Sequence, residues 1–288
     1  MHTAELDPLT IATYIALAVS IGALWASALL WIPALVVAVV LGYVSGVLSG
    51  LAILWIGALA FACWLYRQPG AVARVVSTIT IAALALQLGL HVLPGFHNAL
   101  MANDVVLSPG AAPYDLYLNF DKTLVGLLFI GLAWRGLIRS RFELFAALRT
   151  AAPLIAINIV VLVALSLALG YLRFDPKWNS FFWLWATANL LSTCLSEEAF
   201  FRAFIQGGLT RALGSHKHGV AIALAASAVI FGAAHLAGGW TYVLLSTVAG
   251  CGYGWIFHRT GRIEMSMLAH FAMNATHFLL FTYPFRSG

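Results

Sequence analysis

Charge is scarce in this chain. Aspartate and glutamate number 10 and lysine and arginine 15 among 288 residues, so 9% of the side chains are charged while 62% are hydrophobic. A soluble domain averages about 25% charged residues, so this composition excludes a chain whose main solvent is water. Cysteine is scarce too. Cys63, Cys194 and Cys251 lie far apart in apolar sequence without CxxC spacing. That excludes a disulfide framework or a cysteine zinc site and leaves them as small hydrophobes. The first ten residues hold no lysine or arginine but carry Glu5 and Asp7 ahead of a long apolar run, which is not the pattern of a cleaved signal. The net charge of +5 is spread over short loops. This suits orientation in a lipid bilayer and not binding of nucleic acid.

What is abundant is apolar sequence in long runs. These lie near 11–31, 33–66, 75–96, 122–138, 152–172, 181–205, 219–236, 240–257 and 263–283. Runs of this length predict membrane-spanning helices, whereas an outer-membrane barrel would alternate over shorter segments. The expected fold is all-α, a polytopic transmembrane bundle of about nine or ten spans. Residues 33–66 are read as two short spans broken around Gly42 to Gly50. Basic residues mark alternate loops: Arg67 and Arg74, then Arg139, Arg141 and Arg149, then Arg211 and Lys217, then Arg259 and Arg262. These loops are expected on the cytoplasmic side. Segment 97–121, with Asp104, Asp115 and Asp121, is expected to be an outward-facing connector.

Against that background Glu197 and Glu198 stand side by side in an apolar run. A carboxylate at bilayer depth costs at least a few kcal/mol, so an intramembrane acid is a candidate functional group. Glu198 and Arg202 are spaced i,i+4, which on an α-helix puts them on one face, able to pair. Phe231 with His235, and His270 with Asn274, repeat that spacing in two later apolar runs. If the turn after the first helix lies near His216, Glu197 and His235 are equidistant from it and share a level. A glutamate beside a histidine can take a proton from water near neutral pH. A histidine and an asparagine one turn apart supply two N–H donors for a developing oxyanion. His277 is near the His270 face but reads as a helix-end residue, and His91 and His97 flank the outer segment.

The motifs Glu197-Glu198-Ala-Phe-Phe-Arg202, Phe231-Gly-Ala-Ala-His235 and His270-Phe-Ala-Met-Asn274 match EExxxR, FxxxH and HxxxN in order. In this the chain resembles the CAAX-protease and bacteriocin-processing (CPBP) intramembrane protease family, related to the type II CAAX prenyl endopeptidases. The likeness covers roughly residues 150–285 and divides the chain into a variable membrane section, 1–150, and a catalytic helix bundle, 151–288. It implies Glu197 as base, His235 on the catalytic water, and His270 with Asn274 stabilising the oxyanion. Glu198, Arg202 and Phe231 are implied as supporting residues. The substrate implied is a membrane-associated protein or peptide, lipidated or leader-bearing, cut by a protein of the bacterial inner membrane.

Two questions stay open at this level. No cofactor is favoured, yet Glu197, His235 and His270 could also form a two-histidine, one-carboxylate zinc site. Intramembrane acids and histidines also serve proton-coupled carriers, although no inverted repeat is visible. A catalytically idle scaffold with the same motifs is the third reading.

Overall fold

Asp7 starts the first helix. Its carboxylate accepts hydrogen bonds from the amides of Leu9 and Thr10 at 2.9 and 3.0 Å, and Pro8 occupies the first helical position, where its missing N–H is no loss. The computed structural model describes residues 6–285, so Glu5 lies outside the described residues. The chain forms two compact units that interleave in sequence. The first comprises residues up to 103, then 115–135 and 191–200; the second comprises 104–114, 136–190 and 201 onward.

In the first unit, α1 (Pro8–Ala26) packs on α2 (Trp31–Val44), and α3 (Gly50–Leu65) on α4 (Ala71–Gly89). The expected break in 33–66 is there: α2 and α3 are separate helices joined by a tight turn. Gly95, at φ +103°, closes against that turn, and a Cβ on it would come 2.7 Å from the Ala52 amide nitrogen. The next helix, α5 (Phe120–Leu128), continues as a π-helical turn to Ala133. It packs against α8 (Leu195–Glu198). The contact is close because Gly126 has no side chain, and a Cβ there would meet the Leu195 side chain at 2.7 Å.

Segment 97–121 is more than a connector. Strands β1 (Ala99–Val105) and β2 (Tyr114–Leu118) pair as a two-stranded sheet within it. Tyr14 pins the segment in the first unit: its hydroxyl donates to the Leu118 carbonyl at 2.7 Å and accepts from the Ala99 amide at 3.1 Å.

The second unit is built on α6 (Arg141–Ala168), α10 (Gly219–Ala233), α11 (Gly239–Thr260) and α12 (Ile263–Leu280), with α11 packed against the other three. Two glycines set its spacing. A Cβ on Gly232 would lie 1.9 Å from Thr247 Oγ1, and one on Gly252 2.0 Å from Asn158 Oδ1. The α10–α11 junction bends by 55°. Arg262 ties the α6 end down: it pairs with Glu143 at 3.3 Å and donates to the Gly136 carbonyl at 3.2 Å. At the opposite end Asp175 is held by Ser108 first and Lys177 second, which keeps its carboxyl below the usual carboxylate range.

The helical expectation holds. By length and apolar composition, three helices among the described residues, α1, α4 and α6, can cross a membrane, or four if the bent pair Gly219–Ala233 and Leu236–Thr260 is one span. Two shorter apolar helices are α2 and α3. Of the remaining predicted runs, 263–283 holds the unbroken α12, whereas 122–138 and 181–205 are interrupted. Residues 181–212 alternate between α7 (Phe181–Ala188), a π segment (Asn189–Cys194), α8, a second π segment (Ala199–Gln206) and α9 (Gly207–Ala212).

Those π segments change two sequence arguments. A π turn closes i→i+5 instead of i→i+4. Counting depth from the His216 turn at α-helical rise therefore does not apply to this arm. Nor does the i,i+4 rule assign Arg202 to the face of Glu198, because Arg202 lies inside the second π segment.

Candidate active site

The end of α10 creates the first element of the site. The amide of Ala234 bonds to the Ile230 carbonyl, but the amide of His235 turns back to Gly232. The Phe231 carbonyl thereby loses its α-helical donor, and the side chain of His235 replaces it, with Nδ1 at 2.7 Å. A carbonyl only accepts, so Nδ1 carries the hydrogen and the neutral ring keeps its lone pair on Nε2. The ring sits between Phe231 (centroids 4.7 Å apart) and Tyr242 (5.1 Å). Tyr242 fits there because Gly238 has no side chain; a Cβ would lie 2.2 Å from Tyr242 Cδ1.

From α12 come His270 and Asn274. His270 is buried, stacked on Tyr253 at 4.8 Å and edge-on to Phe231 at 5.8 Å. Asn274 donates from Nδ2 to Asn189 Oδ1 at 3.2 Å, which orients its amide. His235, His270 and Asn274 line one cavity of about 80 Å³, with Phe231, Tyr242, Tyr253, Tyr171 and Ser166 among its walls. One water needs about 10–15 Å³ in such a measure, so the cavity has room for several waters or for a water and part of a substrate. His277 lies in the last turn of α12, as expected of a helix-end residue, and also lines the same cavity, bonding from Nε2 to the Thr282 carbonyl at 3.0 Å.

Arg202 is fully buried under this wall. Its guanidinium carbon lies 5.0 Å from the Phe231 ring centre, 5.9 Å from Tyr253 and 6.0 Å from Phe201. Its Nη1 donates to Ser227 at 3.1 Å, and Ser227 passes a bond to the Phe201 carbonyl at 2.7 Å. Three ring faces around a cation dry enough to feel them are strongly attractive. Arg202 supports Phe231, and Phe231 in turn touches both histidines.

Glu197 and Glu198 belong to the first unit. Glu198 is fully buried. Glu197 lies 2.7 Å from the ammonium of Lys122, both side chains largely enclosed. Lys122, Asn189, Tyr242 and Tyr253 were not found by motif reasoning. Asn189 and Lys122 are far in sequence from the residues they hold, so no spacing rule connects them. Among the described residues no three His, Cys, Asp or Glu side chains gather as a metal ion requires.

The fold and the cavity define a helical, membrane-type protein with histidine and asparagine groups facing one half-open cavity of mixed polar and apolar lining. Residues 177–276 match the family described as Type II CAAX prenyl endopeptidase Rce1-like, so the resemblance carried by the three motifs holds, and all three lie inside the matched segment. Neither the curated proteins nor the solved structures contain a match.

Proposed function

We propose that the chain is an intramembrane endopeptidase that hydrolyses a peptide bond of a membrane-associated, lipidated or leader-bearing protein. The observation that carries this reading is the joint placement of His235, His270 and Asn274 on one cavity within a segment matching a peptidase family. Glu197 acts as the general base that takes the proton of the attacking water. His235, its Nδ1–H committed to Phe231, offers Nε2 to hold that water. The imidazole of His270 and the amide of Asn274 donate to the oxyanion of the tetrahedral intermediate. The proton then passes to the departing amine, so water is consumed and two termini are released. Glu198, Arg202 and Phe231 support these groups.

In this reading residues 151–288 form the catalytic bundle and 1–150 a variable membrane section. The shorter helices α2 and α3 also lie in the bilayer, towards about nine or ten segments. The setting is a bacterial inner membrane.

Glu197→Gln keeps size and hydrogen bonding but loses basicity. In proteoliposomes with internally quenched peptides, one ending in a farnesylated CAAX sequence and one carrying a hydrophobic leader, it should lower turnover by at least about 10²-fold with normal protein yield. Normal cleavage by this variant rules the mechanism out. Zinc content measured on the same preparations checks the alternative ligand set Glu197, His235 and His270. One zinc per chain, lost on His270→Ala, would replace the metal-free version.

A further inference from the structure

The first unit contains a second polar cluster, and it is built around the proposed base. Lys122 lies in the first turn of α5, and its ammonium lies 2.7 Å from Glu197 Oε1 with the two side chains 18% and 14% exposed. The same two helices are tied again one residue away, where Ser196 Oγ donates to the Lys122 carbonyl at 2.6 Å. Gly126 removes the side chain that would hold α5 and α8 apart. The start of α5 is itself fixed. Asp121, 2% exposed, accepts from the Lys122 amide at 2.7 Å and from Asn98 Nδ2 at 2.8 Å, and contacts His91 Nδ1 at 2.8 Å. Asn98 Oδ1 in turn accepts from the Phe120 amide at 2.8 Å. Lysine has several rotatable bonds and a high side-chain entropy, and here its backbone is anchored on both sides.

We infer that Lys122 is a positioning residue for the proposed reaction: it fixes the rotamer of Glu197 by holding Oε1, and so sets the aim of the carboxylate's second oxygen. The inference rests on Glu197 being the base. A carboxylate on a free side chain samples several orientations, and a base must stand within hydrogen-bond reach of the proton it removes. A cation serving only to neutralise charge needs neither the Ser196 tie nor a fixed helix start. A mutation far from the bond that breaks, but moving the base by about 1 Å, costs on the order of 10²-fold in rate.

The test uses the full-length protein in proteoliposomes with the two quenched peptides. Lys122→Met should lower kcat by at least about tenfold while KM changes less than about twofold, with thermal stability kept. Lys122→Arg, which can still reach a carboxylate, should recover most of the rate. On a Glu197→Gln background, Lys122→Met should add little further loss, because the two act through one group. Wild-type kcat in Lys122→Met overturns the inference. So does a loss that tracks lowered stability and is not restored by arginine, since that pattern belongs to a packing role alone. Cleavage of neither peptide by the unaltered protein, or normal cleavage by Glu197→Gln, overturns the hydrolysis reading itself, a result distinct from failure at Lys122.

Discussion

A histidine's usefulness in a site depends on which nitrogen carries the hydrogen. At position 235 the end of α10 decides this, because the Phe231 carbonyl left without an amide donor captures Nδ1. Asn274 is settled in a similar way by Asn189. Asn274→Ala should lower kcat about 10²–10³-fold with little change in KM, the size expected for one lost oxyanion donor. Asn189→Ala removes only the partner that orients the amide. It should cost less, about tenfold by analogy with other outer-shell partners, and Asn189→Gln should not restore the rate because its amide stands one methylene further out. Steady-state kinetics on the quenched peptides check both, and an Asn189→Ala loss as large as that of Asn274→Ala would mean that Asn189 itself meets the substrate.

Helix spacing is the next control on the cavity. Phe231 and His235 hang from the end of α10, which approaches α11 at Gly232, and there Thr247 Oγ1 and the Val243 carbonyl leave no room for a methyl group. Gly232→Ala must move one helix or distort Thr247. Overpacking of this kind costs about 1–3 kcal/mol. The expected outcome is a lower melting temperature in detergent and a loss of activity, and Thr247→Ser, which keeps Oγ1, should not relieve it while Thr247→Gly should do so in part.

The motif residues were legible in the sequence because a charged or amide side chain in an apolar run is conspicuous, and the structure puts His235, His270 and Asn274 on one cavity. The two-helix break in 33–66 was legible from its glycines. The π segments were not, since a π turn is an extra residue inside an apolar helix and leaves no compositional mark. Lys122 and Asn189 were invisible for another reason: their partners are 75 and 85 residues away, and only tertiary structure relates them. The strands of segment 97–121 were hidden by its prolines, glycines and acids, which read as a loop.

On the scale of the molecule, the ten residues 191–200 are the unusual piece. The chain leaves the second unit at 190, contributes this stretch to the first, and returns at 201. The stretch carries Glu197, and what surrounds it in the first unit, Lys122 and Gly126, comes from α5. A gene severed between codons 150 and 151 would therefore orphan the stretch. The fragment 151–288 expressed alone should accumulate poorly and show no cleavage, although it contains every motif. Co-expression with fragment 1–150 should restore membrane-inserted, co-purifying halves and measurable activity on the quenched peptides. Robust activity from 151–288 by itself would show that the loan is dispensable. If it is not, this motif set cannot be grafted onto an unrelated amino-terminal half: any replacement half would have to bring its own lysine and its own bare patch of helix for the borrowed turn to rest on.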